Sequence, residues 1–423
     1  MFRVNNKVLS SEKMENMERT YNAGAGNEQM TFAVRRKPTY DLSKPVYKQN
    51  YMKTNTYFDE MKPILFILKI IGTLPYSVIS EGELIFRKLS ALTLYSTVIQ
   101  IGMTACGLIV LKERMAVMCA NDNEQFERKI ARFSVTMMYV SISAFPLVNI
   151  IEYSKKIRFI NDWKSFQAEF SHVTGKNFVL SLRTKVYAVM VVYPVTVAVI
   201  LFLAKDDMTT WWHLCIAGIG PTMSWLYIWF FLLTCQAFVS SARNVGEEFA
   251  QYISAYGFGH PEKISQYKYL WLQLANLTQS LGSSNGITYG VYILVCFVYQ
   301  VLACYGCLTT IREEINLVNV TLMLTTISFD LVLLLFGTIA EMATKEVGAK
   351  FEGRLQSIAK QYMSTNTASY NEVQNFLVTI SLNPPVINLS GFVSVNRGLN
   401  TALMSQTVTY LIVLIQFNMS SDK

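Results

Sequence analysis

Gln406, Thr409 and Gln416 fall three and seven residues apart, with Val413 between the last two, inside a stretch from Leu399 to Phe417 that carries no charge. At helical period these side chains share one side of an apolar rod. About 19 residues at ~1.5 Å each cover the ~30 Å of a bilayer's hydrocarbon, so the stripe lies at membrane depth and needs something other than lipid to face. Two chemistries suit it. It can hydrogen-bond to neighbouring helices, at roughly 0.6 kcal/mol per contact. Or it can face water in a pore built from copies of the helix, with Val413 or Phe417 forming a narrow place that dewets when closed. No ring of acidic residues accompanies the stripe, so strong discrimination between ions is not expected.

Other residues with chemical potential are isolated. Asp330 sits in the middle of the apolar stretch 317–340, and a carboxyl there is costly enough to be a functional suspect, with a structural partner or a protonated acid as the alternative. Trp211, Trp212 and His213 open another apolar stretch, where an interfacial aromatic belt explains them as well as binding does. Tyr139, Trp212, Trp225, Tyr299 and Asp330 form the candidate ligand pocket, and packing explains the aromatic members equally well. The three histidines (His172, His213, His260) have no Cys, Asp or Glu at metal-ligand spacing. No serine elbow, phosphate loop or dinucleotide fingerprint appears. Neither enzymatic activity nor a cofactor or metal is expected. Asn418 heads an Asn-Met-Ser glycosylation sequon.

The elements that must position these residues follow from composition. With 423 residues, 52% apolar and 16% charged, the chain is too greasy and too charge-poor for an ordinary soluble protein. An all-α polytopic membrane protein is expected, in contact with lipid and not nucleic acid. The seven cysteines are odd in number and imply no disulfide framework. Spans are predicted at 89–111, 133–151, 186–204, 213–239, 286–308, 317–340 and 399–417. The apolar run 63–76 is short and broken by Lys69, Gly72 and Pro75, and is read as lying at the interface. Residues 1–60 read as a disordered cytoplasmic tail, 61–340 as six spans with cytoplasmic helical extensions, 341–398 as cytoplasmic anchor helices and 418–423 as a short outer tail.

Lysines and arginines set the orientation. The side holding the N-terminus has 29 of them and the other side eight, which places the N-terminus in the cytoplasm and, seven crossings later, the C-terminus outside. That is opposite to a G-protein-coupled receptor. The fourth span runs on into Arg243, Glu247 and Glu248, and the sixth into Glu341, Lys345, Glu346 and Lys350, with charges at four-residue spacing that suits solvated helix.

Seven spans in this orientation, long inner and short outer connections, and Thr409-Tyr410, five apolar residues, then Gln416-Phe417 resemble the insect gustatory receptors. Odorant receptors share the architecture. Asn383-Pro384-Pro385-Val386-Ile387-Asn388-Leu389-Ser390-Gly391-Phe392, with Val395-Asn396-Arg397, is similar to the carbon dioxide receptor subfamily, as is Trp271-Leu272-Gln273-Leu274 more loosely. The resemblance implies a ligand-gated, non-selective cation channel in the plasma membrane of sensory neurons. It implies four subunits, identical or sibling, with the seventh helix of each lining the pore. Gln416 and Phe417 then match the outer gate, and Thr409 and Tyr410 the start of that motif. A small-molecule ligand would sit in each outer bundle. The alternatives are an odorant, sugar or bitter receptor of the same superfamily, a secondary transporter, and a receptor coupled to a separate signalling protein.

Overall fold

A computed structural model describes residues 55–79, 83–120, 126–204, 211–257, 259–310, 317–362 and 367–421. Among them are eleven helices: α1 Thr56–Ile70, α2 Ala91–Ala120, α3 Phe126–Thr174, α4 Arg183–Ala204, α5 Trp211–Tyr256, α6 Pro261–Ser284, α7 Gly286–Thr310, α8 Leu317–Val347, α9 Ala349–Tyr362, α10 Thr367–Leu382 and α11 Arg397–Ser421. All seven predicted spans fall on helices: α2, α3, α4, α5, α7, α8 and α11. Two short antiparallel hairpins, β1 (Ser77–Val78) with β2 (Leu84–Ile85) and β3 (Asn388–Leu389) with β4 (Val393–Ser394), are the described strands.

Helices α5 and α8 run on without a break through the charged segments that follow their apolar stretches. A third was not foreseen: α3 runs unbroken for 49 residues, about 70 Å at ~1.5 Å per residue. Between Pro146 and Gly175 it contains neither proline nor glycine, so nothing in the local sequence stops it where the apolar stretch ends.

The run at 63–76 begins on a helix that starts upstream of it. Helix α1 begins at Thr56, inside the stretch read as tail, with the Asn55 side chain accepting from the Phe58 N–H as its N-cap. Its Tyr57, Met61, Ile64 and Leu65 are fully buried. Tyr57 stacks on Trp163 of α3 with ring centroids 4.4 Å apart, and Trp163 stacks on Phe238 of α5 at 5.2 Å. The Tyr57 hydroxyl is 2.8 Å from the Thr234 hydroxyl. One face of α1 is therefore core, and only the other, with Phe66 and Ile70 exposed, is free to lie against lipid.

Charged contacts tie the projecting ends together. Glu346 of α8 is 1% exposed and receives Arg243 of α5 at 3.3 Å, Lys350 at 2.9 Å and Arg354 of α9. Burial pushes its carboxyl up, but the hydrogen bonds from Lys350 and Arg354 and the Arg354 charge outweigh this and hold it below the usual range. Its contribution to stability is thus complete above the ordinary glutamate value of 4.5 and is lost as pH falls through the lowered value. We expect Glu346→Ala to cost about 3 kcal/mol, the low end for a broken buried pair because its cations can return to water. Melting of the detergent-solubilised receptor by size-exclusion chromatography checks this. An unchanged melting temperature at neutral pH would show that the cluster is decorative.

Candidate functional site

Helix α11 packs against α7 and α8 on one side only. Within its span only 11% of residues are buried inside the subunit, against 72% for the span of α5. Among the described residues, four helices are long and apolar enough to cross a membrane: α2, α5, α7 and α11. The buried side of α11 carries Asn400 and Thr407, with Leu403, Met404, Leu411 and Leu414 half-buried. These recur at three, four and seven residues, as one face of a helix must. Gln406, Thr409, Tyr410, Val413 and Gln416 are exposed. At 100° per residue, Gln406, Thr409, Val413 and Gln416 cluster on the side opposite Thr407. Tyr410 lies at the edge of that set, its ring edge-on to Phe297 of α7 at 6.0 Å. The side chains of Phe417 and Asn418 lie outside the described residues.

The sequence alone allows the stripe to bond within the bundle. The structure shows that the polar positions used inside the subunit are others. The Asn400 amide donates to the Leu334 carbonyl of α8 at 3.3 Å, and the Thr407 hydroxyl donates to the Leu403 carbonyl at 2.9 Å. The stripe itself faces away from the chain that carries it.

The foot of α11 is firmly seated. The Arg397 N–H donates to the Glu341 carboxylate at 2.8 Å, and the Lys345 hydrogen bond together with this one holds that carboxyl below its usual range. The β3–β4 hairpin immediately precedes it and rests on the α6–α7 junction. There Gly282 and Gly286 meet the backbone of Asn388 and Ser390 so closely that a Cβ at either would come within 3.0 Å. A cleft of about 350 Å³, lined by Glu341, Thr344, Lys345, Val386, Ser394 and Asn396, opens at this foot.

Of the residues proposed for an outer pocket, Tyr139 and Trp225 belong to different clusters. Tyr139 is fully buried in a small cluster with Val110 and Ile142, whereas Trp225 packs on the main core. Tyr299 is buried on α7. Trp212 and Asp330 lie on α5 and α8, and their side chains are outside the described residues.

A polar centre that sequence reading missed lies between α3, α5 and α7. Glu152 is fully buried and accepts from the backbone N–H of Ile287 at 2.8 Å and of Thr288 at 3.3 Å, and from the Thr288 hydroxyl at 2.5 Å. Its carboxylate thereby caps the first turn of α7, where unpaired N–H groups and the helix dipole favour an anion. Lys156, one turn on, is 3.7 Å from Glu152. It also donates to Asn149 Oδ1 at 2.6 Å and to the Thr288 hydroxyl at 3.2 Å. The Tyr227 hydroxyl donates to the same Asn149 oxygen at 2.6 Å. The four-residue spacing of Glu152 and Lys156 was the available signal, but it reads equally as a solvated pair.

A family model described as 7tm chemosensory receptor matches residues 61–421. The chain is 27% identical over 372 residues to gustatory and odorant receptor 24 of Anopheles gambiae, covering 87% of this chain and 80% of that one. It is 25% identical over 439 residues to gustatory and odorant receptor 22 of the same species, covering 99% and 91%. It is 24% identical over 381 residues to gustatory and odorant receptor 21a of Drosophila melanogaster, covering 88% and 83%. Among solved structures, the insect olfactory receptor OR5 from Machilis hrabei in complex with eugenol aligns with a TM-score of 0.59 at 13% identity, over 85% of this chain and 98% of that one. At that identity the likeness is one of fold.

Proposed function

Because the chain belongs to the 7tm chemosensory receptor family, we propose that it is a subunit of a ligand-gated, non-selective cation channel in which α11 lines the pore. One observation carries this reading. The polar stripe Gln406, Thr409, Val413 and Gln416 faces out of the subunit, on a helix that buries little of itself against its own chain. Polar side chains at membrane depth are stable against water or a partner and costly against lipid. A ring of like subunits, four in the arrangement we favour, surrounds that face with water. The N-terminus is inside and the C-terminus outside, as the 29 basic residues against eight require.

Carbon dioxide is the ligand we propose, with this chain working beside sibling subunits. The segment resembling carbon dioxide receptors, 383–397, supports it, and that segment forms the hairpin and the start of the pore helix. Expression in cells with no other insect protein, with and without sibling receptors, tests the reading. Whole-cell current would be recorded during steps of carbon dioxide, sucrose and denatonium, with tags on both termini reporting orientation. Current carried by sodium and potassium alike is expected, and only the C-terminal tag should stain in intact cells. A receptor that reaches the surface with every subunit combination yet carries no current would sink the channel. Response to sucrose or denatonium alone would sink the carbon dioxide assignment and leave the channel standing.

A further inference from the structure

Gln300 lies within the span of α7 and is 1% exposed, packed against α11. Its amide nitrogen donates to the Met404 sulfur at 3.6 Å, and its Oε1 is buried with no hydrogen-bond partner among the described residues. A thioether is a weak acceptor, and a carboxamide offers two donors and two lone pairs. Among the described residues this one therefore leaves most of its capacity unused, at a buried position where an unmet polar group is costly. A buried polar group in that condition raises the free energy of the arrangement holding it and calls for an explanation. Its surroundings offer one. Thr407 is three residues on from Met404, on the same buried side of α11, and its hydroxyl is spent on its own helix at the Leu403 carbonyl. A turn of α11 on its axis would exchange the thioether opposite Gln300 for other groups.

We propose that Gln300 is a positioning residue for gating: its underused amide destabilises the rotational setting of the pore helix seen here and so lowers the barrier to leaving it. This rests on the channel reading above and adds to it the residue that sets the balance between pore-helix settings.

Two substitutions of opposite polarity should act alike. Gln300→Leu removes the unsatisfied group. Met404→Gln supplies a second amide that can both donate to Oε1 and accept from Nε2. Each favours the present setting. The double variant, Gln300→Leu with Met404→Gln, again buries one amide without a partner. We expect each single variant to shift the half-maximal concentration of whichever of carbon dioxide, sucrose or denatonium opens the wild type, in the same direction, by about 5- to 30-fold. The double variant should return to within about twofold of wild type. Surface density is matched by biotinylation. In detergent both singles should also melt higher than wild type, and the double should not, which reads the bonding without any current. Single variants that shift in opposite directions, or not at all, overturn the proposal. Absence of wild-type current defeats the channel reading and the gating role with it, while the melting series still tells whether the amide is underused.

Discussion

Glu152→Ala is expected to remove most receptor from the cell surface. The substitution leaves the Lys156 ammonium inside the protein with no anion and deprives the first turn of α7 of the acceptor for two backbone N–H groups and a hydroxyl. Removing one partner of a buried ion pair costs about 3–5 kcal/mol, a large part of the roughly 5–15 kcal/mol that holds a folded domain. Replacing both partners by neutral groups of similar size is much gentler. Glu152→Gln with Lys156→Met should therefore recover a substantial share of surface expression, although Lys156→Met alone leaves the carboxylate buried and should be poor. Surface biotinylation beside total protein separates these cases. Wild-type density for Glu152→Ala would mean that the centre contributes nothing, and a double variant worse than both singles would mean that its charges are not coupled.

The second large effect concerns access. Cysteines placed at Thr409, Val413 and Gln416 are expected to react with a charged methanethiosulfonate reagent on the order of ten times faster than cysteines at Thr407 and Leu411. The thiolate is the reacting species and forms only where water and charge are tolerated. Both sets lie on one helix at similar depth, so depth cannot explain a difference. Thr407 is buried and Leu411 half-buried against the subunit, whereas 409, 413 and 416 are exposed. Modification at 413 or 416 should also reduce the current, since in an assembly of four a single substitution recurs at each wall of the pore. Equal rates at all five positions would show that lipid, not water, covers the stripe.

Much of this architecture can be read from residue patterns, because membrane spans obey strong local rules: apolar length, flanking basic residues and aromatic ends. The stripe on α11 was readable for the same reason, being a single periodicity on one helix. What the pattern could not decide was which side of the helix the bundle takes, since Asn400 and Thr407 make an alternative polar line at a seven-residue spacing. That choice is made by α7 and α8. The start of helix α1 was obscured by its polar first turn, Thr56 to Glu60, which reads as the end of the tail. Glu152 and Lys156 were obscured by context. They lie in a run with Lys155 and Arg158 that looks like a solvated, topology-setting stretch, and only the packing of α5 and α7 against α3 takes two of those charges out of water. Tyr139 and Trp225 are spaced like any buried aromatic residues, and sequence does not say which cluster each will join.

The seating of α11 has a mechanical consequence. Its first turn is bolted to α8 through Glu341, Arg397, Leu334 and Asn400, and the hairpin before it is wedged on Gly282 and Gly286, while four of the five residues from Ile412 to Gln416 are exposed. The helix is a cantilever. From Asn400 to Gln416 the lever is about 24 Å at ~1.5 Å per residue, so a tilt of roughly 5° at the clamp sweeps the tip through about 2 Å, close to the radius of a partly dehydrated monovalent cation. In the proposed channel, small strain at the clamped foot would be magnified toward the other end, and a constriction at residues 413–416 would sit where the least effort produces the widest opening.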